Sequence, residues 1–126
     1  MNFKGIHHVA IIVSNYAVSK DFYVNKLGFS VIREHFRPEK NDYKLDLQLG
    51  MCELEIFGVE APPKRLSYPE ACGLRHLAFA VADIEESVSE LAAMGIVCEP
   101  LRVDTFTGKR MTFFSDPDGL PLELHE

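Results

Sequence analysis

Residues 73–81 read GLRHLAFAV, a run in which large and small side chains alternate with the period of two that indicates a β-strand. Because side chains alternate across a strand, His76 shares one face with alanines. The segment at 5–13, GIHHVAIIV, repeats this pattern, and its His8 precedes His76 by 68 positions. The two strands therefore predict an internal duplication, and the role of the paired histidines becomes the central question.

The segments after each strand are duplicated as well. A helical pattern ending in a glycine follows each one, at 15–28 and 83–95. Three strand-like stretches come next in each half, at 31–36, 44–49 and 52–57 and at 97–103, 110–114 and 120–125. We therefore predict an α+β fold of two tandem βαβββ modules with mixed sheets. The modules span about 5–60 and 73–126 of a single domain, 1–126, with a proline-rich linker at 61–72.

The composition excludes several classes of function. The 126 residues carry a formal net charge of −6, and no basic stripe predicts a nucleic-acid partner. No apolar stretch approaches the roughly 20 residues of a membrane helix, and the start of the chain resembles no signal peptide. The 3 cysteines lack metal-type spacing, which favours reduced thiols in the cytoplasm. We expect a cytoplasmic protein that binds a small molecule, with no nucleic-acid or membrane partner.

Two glutamates follow the same repeat as the histidines. Glu55 and Glu123 are 68 positions apart, and each follows the histidine of its own module, His8 or His76, by 47 positions. Carboxylates on an inner sheet face cost several kcal/mol each unless they are paired or bind a cation. Two imidazoles and two carboxylates suit Zn, Ni, Co, Mn or Fe(II) better than Ca. We predict a metal site formed by the four; core histidines and edge glutamates are the alternative.

Further candidates depend on which side chains share a face. Phe57 shares the face of Glu55, and Arg110, which suits an anionic substrate, shares a face with Phe114. We expect these three side chains to contact substrate, and a solvent-exposed arginine at a strand end is the alternative for Arg110. Another set of polar side chains on one face is interpreted as solvated: Arg33, His35 and Arg37.

The chain resembles the vicinal oxygen chelate superfamily, and most of all its small glyoxalase I-like (lactoylglutathione lyase-related) proteins. The resemblance rests on the βαβββ repeat, on HHVAIIV and RHLAFAV, and on FYVNKLGF and FFSDPDGLPLEL. It implies sheets that curl round one divalent ion per site, nickel or zinc first, held by His8, Glu55, His76 and Glu123. It also implies a homodimer and a metal-dependent lyase or isomerase, in which Glu123 is the base and Glu55 its symmetry-related partner.

One departure bears on the substrate. Glutathione-dependent members of this family usually carry an arginine four residues after the first histidine, where this chain has Ile12. A main contact for a glutathione carboxylate is therefore missing, which counts against the glutathione hemithioacetal as the substrate. A non-catalytic protein that sequesters a small molecule, an epimerase and a dioxygenase of the same superfamily remain as alternatives.

Overall fold

Each half of the chain forms its own mixed four-stranded sheet. The computed structural model describes all 126 residues and divides them into two compact units, Met1–Lys64 and Arg65–Glu126. The division lies within the predicted linker. Neither unit has a helix with the length and apolar character of a membrane span.

The first unit is built around a sheet of order β1-β4-β3-β2, in which β1 runs parallel to β4 and the other neighbours are antiparallel. A helical segment connects β1 to β2. The elements are β1 (His8–Val13), α1 (Tyr16–Lys20) with a π-helical continuation (Asp21–Lys26), β2 (Ser30–Arg37), β3 (Asp42–Leu49) and β4 (Cys52–Gly58).

The second unit repeats this topology with the sheet order β5-β8-β7-β6. Here too the first strand runs parallel to the last, and β7 is antiparallel to both of its neighbours. The elements are β5 (Leu77–Ala80), α2 (Ile84–Ala93), β6 (Arg102–Val103), β7 (Arg110–Ser115) and β8 (Pro121–His125). The predicted fold class, two βαβββ repeats with mixed sheets, is confirmed.

Each sheet has a core face and a more polar face. In the first unit the core face is fully buried along β3 and β4, at Leu45, Leu47, Leu54 and Ile56. Along β1 the opposite face stays open, since Ile12 is 63% exposed. Burial of each large apolar side chain stabilises the fold by roughly 1.5–3 kcal/mol. This determines which face of each strand is buried.

Two elements differ from the sequence prediction. The first helix changes to a π-helix from Asp21, with Leu27 N donating to Phe22 O, where a single regular helix was expected. The segment from His8 to Gly28 is one residue longer than the segment from His76 to Gly95. The wider turn of the π-helix accommodates the extra residue. The predicted strand at 97–103 is only two residues long, since Pro100 has no N–H to pair.

Gly58 has no room for a side chain, and this gives a first prediction. A Cβ there would lie 2.8 Å from Tyr16 Cβ and 2.9 Å from Tyr16 Cδ2, and Tyr16 is itself stacked on Tyr43 at 4.3 Å. We expect Gly58→Ala to lower the free energy of unfolding by about 1–3 kcal/mol, measured by urea denaturation. In a Tyr16→Gly background, which removes both Tyr16 Cβ and Tyr16 Cδ2, the same change should cost much less. Equal costs in both backgrounds would contradict this packing.

Candidate functional site

His8 and Glu55 come together on the polar face of the first sheet. The parallel register places Ala10 beside Glu55, so the small side chain leaves space next to the carboxylate. His8 Nε2 lies 3.8 Å from Glu55 Oε2, and the two side chains are 43% and 16% exposed. The other ring nitrogen of His8, Nδ1, is 3.0 Å from Nδ1 of His7, which restricts the orientation of the ring.

His76 and Glu123 form the corresponding pair in the second unit. Ala78 lies beside Glu123 in the register, as Ala10 lies beside Glu55. His76 Nε2 is 2.9 Å from Glu123 Oε2, and the carboxylate is only 8% exposed. His76 is the one basic side chain that pairs with this carboxylate, and a buried carboxylate without a cationic or hydrogen-bonding partner is costly.

Glu55 has an additional partner that the sequence prediction missed. Lys44 Nζ lies 3.0 Å from Glu55 Oε1 and 2.8 Å from Oδ1 of the fully buried Asp46. Burial disfavours the charged ammonium, but the bonds to Asp46 and Glu55 outweigh it and raise the pKa of Lys44. Arg33 Nη1 donates to the other oxygen of Asp46 at 3.0 Å. The alternation of KLDLQL is the signal that could have placed Lys44 and Asp46 on one face.

Phe57 lies on the same face as Glu55, as predicted by the alternation of side chains, and two cationic groups lie close to its ring. Arg37 Cζ is 4.9 Å from the ring centroid and Lys44 Nζ is 5.8 Å from it. Arg37 also donates two hydrogen bonds to Asp42, at 2.7 and 2.6 Å, and these lower the pKa of Asp42. The interpretation as a solvated face holds for Arg33 and His35, which are exposed, whereas Arg37 is only partly exposed. Both arginines also pair with acids of β3.

Two predicted substrate contacts lie on the wrong face of the second sheet. The register pairs Phe113, not Phe114, with Glu123. Phe114 is buried on the core face, and Arg110, on the same face, pairs with Glu85 of α2 and with Glu126. Phe113 takes the place expected of Phe114, and its ring meets that of His76 edge-on at 5.2 Å.

The donor chemistry of the two pairs fits a divalent cation. Atoms that bind one ion at about 2.1 Å lie roughly 3.0–3.4 Å apart. The His76–Glu123 distance of 2.9 Å is close to this range, and the His8–Glu55 distance of 3.8 Å is wider. Histidine nitrogen and glutamate oxygen are donors that first-row divalent ions accept. Each unit brings two of the four predicted ligands together, and neither unit by itself holds a group of three or more His, Cys, Asp and Glu side chains suited to a metal. Their union at one ion stays a prediction.

Comparison with known proteins identifies the family. Residues 5–124 match the family model of the Glyoxalase/Bleomycin resistance protein/Dioxygenase superfamily. The chain belongs to this superfamily. YwkD of Bacillus subtilis, an uncharacterized protein, is 57% identical over 100% of this chain and 99% of its own. The crystal structure of a glyoxalase family protein from Enterococcus faecalis is 68% identical, covers 100% of both chains and superposes with a TM-score of 0.95.

More distantly similar proteins include enzymes and a binding protein. A 2-epi-5-epi-valiolone epimerase from Actinomyces sp is 28% identical over 94% of this chain and 77% of its own. Lactoylglutathione lyase from Agrobacterium tumefaciens shares the fold, with a TM-score of 0.75, 19% identity and coverage of 100% and 96%. The antibiotic binding protein TnmS3 from Streptomyces sp. CB03234 shares it as well, with a TM-score of 0.74, 22% identity and coverage of 98% and 96%.

The ion pair between Arg110 and Glu126 predicts that the stability of the fold decreases at acid pH. The two hydrogen bonds from Arg110 to Glu126, at 2.8 and 2.5 Å, lower the pKa of that carboxyl. The pair therefore stabilises the fold above the ordinary glutamate pKa of about 4.3, and this contribution is lost as pH falls through the lowered value. We expect Glu126→Gln to lower the melting temperature at pH 7 and to reduce the loss between about pH 5 and pH 3.

The matched control is Glu90→Gln, which changes an exposed carboxyl of α2. It should leave both the melting temperature at pH 7 and the acid slope close to those of the wild type. If Glu126→Gln has the same acid slope as the wild type, the Arg110–Glu126 pair does not carry this stability.

Proposed function

We propose that this protein is a metal-dependent lyase or isomerase of the glyoxalase type, acting on a small oxygenated substrate. The observation that supports this most is the repeat-matched placement of His8 with Glu55 and of His76 with Glu123, each beside an alanine. The four side chains are the ligands we propose for a divalent ion, with nickel or zinc first and cobalt, manganese or iron(II) as alternatives.

A divalent ion bound there would supply a Lewis acid that polarises a substrate oxygen. Glu123 would act as the base that removes a proton from the adjacent carbon and returns it to the neighbouring one. Its contact with His76 Nε2 at 2.9 Å orients the carboxylate, and its burial keeps competing water away. Glu55 is the repeat-related partner on the first unit.

The residues around the two pairs support a small substrate with an apolar portion. Ala78 and Ala80 leave space on the face of Glu123, and Phe113 offers a ring next to His76. Phe57 offers a second ring beside Glu55 on the first unit. Ile12 presents no cationic group on the face of His8, so we propose that glutathione is not the cosubstrate. Arg110 and Phe114 are left out of the proposed contacts, since they lie on the core face.

The form we propose is a cytoplasmic homodimer. The three cysteines, Cys52, Cys72 and Cys98, are free thiols, which suits a reducing compartment. A second copy of the chain is the partner implied by the resemblance to the superfamily. The side chains of His8 and Ile12 are exposed on one face of β1, and a partner or a substrate would cover this surface.

Non-catalytic sequestration is the second candidate, and the apolar lining of the Glu123 face favours it. Phe113 and two alanines present a surface that an uncharged ligand would fit without any reaction. TnmS3, an antibiotic binding protein, has this fold. Epimerisation remains a variant of the first candidate, because it uses the same carboxylate base, and dioxygenase chemistry is a further variant.

Proton exchange distinguishes these functions. The metal-reconstituted protein is incubated in D2O with hemithioacetals, 2-hydroxy acids and acyl-CoA thioesters, and deuterium incorporation is followed by NMR. We expect turnover of at least one class and a loss of roughly 100- to 10,000-fold in Glu123→Gln, which has no basic oxygen to take the proton. The control Glu90→Gln should keep the full rate.

Two results would contradict the proposal. Full activity in Glu123→Gln would remove that residue as the base. Tight binding of a substrate without exchange or turnover of any compound would favour sequestration instead.

A further inference from the structure

The two repeats differ in what lies opposite their glutamates. In the first unit, Asp46 is opposite Glu55, with Lys44 two residues earlier along β3. In the second unit, Phe113 is opposite Glu123, and Met111 takes the register position of Lys44. A pair of charged side chains in one repeat is therefore replaced by apolar side chains in the other.

This difference changes the bonding of the carboxylates. Oε1 of Glu55 bonds to Lys44, so that Oε2 is the oxygen left beside His8. Glu123 pairs with His76 through Oε2 and forms no ion pair with any lysine or arginine. The repeat-related glutamates therefore have unequal bonding, although their positions correspond.

Lys44 is itself held in place. Its ammonium bonds to both Asp46 Oδ1 and Glu55 Oε1, while Arg33 occupies the other oxygen of Asp46. Asp46 is fully buried, and Lys44 and Arg33 compensate the lost hydration of its carboxylate. The carboxylates of Asp46 and Glu55 hold the ammonium of Lys44 next to Glu55.

We propose that Lys44, held by Asp46, is a positioning residue that limits Glu55 to one oxygen for the proposed divalent ion and weakens the binding of that ion. The inference rests on the proposed function, because it concerns the same metal site. An ammonium bonded to a ligand carboxylate withdraws charge from it and repels a nearby divalent ion. Removal of a group that contacts a metal ligand usually lowers affinity by about 10- to 100-fold. Because the group here is itself a cation, its removal should change affinity by a similar factor in the opposite direction.

The test uses Co²⁺ alone, bound to the full chain after chelator treatment. Dissociation constants come from calorimetry, and the visible absorption of Co²⁺ reports its coordination. We expect Lys44→Met to bind Co²⁺ at least about tenfold more tightly than the wild type. We also expect a changed visible spectrum, since both oxygens of Glu55 become available.

Two controls separate this effect from a general one. Lys20→Met removes the lysine of another ion pair in the same unit, with Glu34, and should leave both readouts unchanged. Lys44→Arg keeps the positive charge and should restore an affinity close to that of the wild type. If Lys44→Met does not fold, Lys44→Met/Asp46→Asn removes both buried charges, and the change in spectrum should persist.

The outcomes distinguish the inference from the proposed function. Equal affinity and spectrum in Lys44→Met and Lys20→Met, or weaker binding in Lys44→Met, would overturn the inference alone. If the wild type binds Co²⁺ but the fallback double variant keeps the wild-type spectrum, the inference is overturned as well. No Co²⁺ binding by the wild type would overturn the proposed metal site, and the inference with it.

Discussion

The cost of removing a carboxylate from water is the constraint on which the rest of this structure depends. Glu55 and Glu123 project from the central strands of their sheets, where folding leaves them largely buried. A carboxylate in such a place keeps its charge only if cations or hydrogen-bond donors replace the lost water. Each repeat supplies a histidine from its first strand region, at the same separation along the chain. The parallel pairing of first and last strands brings each pair together.

The two units meet this constraint in different ways. The first adds Lys44, Asp46 and Arg33, which extend the pairing of Glu55 into a chain of alternating charges across β4, β3 and β2. The second places the ring of Phe113 edge-on to its histidine, with no lysine or arginine paired to Glu123. A duplicated fold can thus give two chemically distinct carboxylates. Under the proposed function, the first carboxylate would serve as a ligand and the second as the base.

Much of this arrangement was predictable from the sequence. The 68-residue repeat and the period of two located the histidines, the glutamates and the face that each occupies. The choice between Phe113 and Phe114 was not predictable, since adjacent phenylalanines are equally apolar and only the pairing with β8 decides which one lies beside Glu123. In this register ten positions separate Phe113 from Glu123 along the chain, whereas nine separate Asp46 from Glu55. The ion pairs of Lys44 depend on β3–β4 register in the same way.

The central claim is that the two histidine–glutamate pairs hold a divalent ion. Elemental analysis of protein purified without chelators or a metal-affinity tag, beside the His8→Ala/His76→Ala double variant, tests it most directly. The account predicts close to one equivalent of a divalent ion per chain in the wild type and none in the folded variant. Absence of metal from both proteins after reconstitution, or equal metal in both, would contradict it.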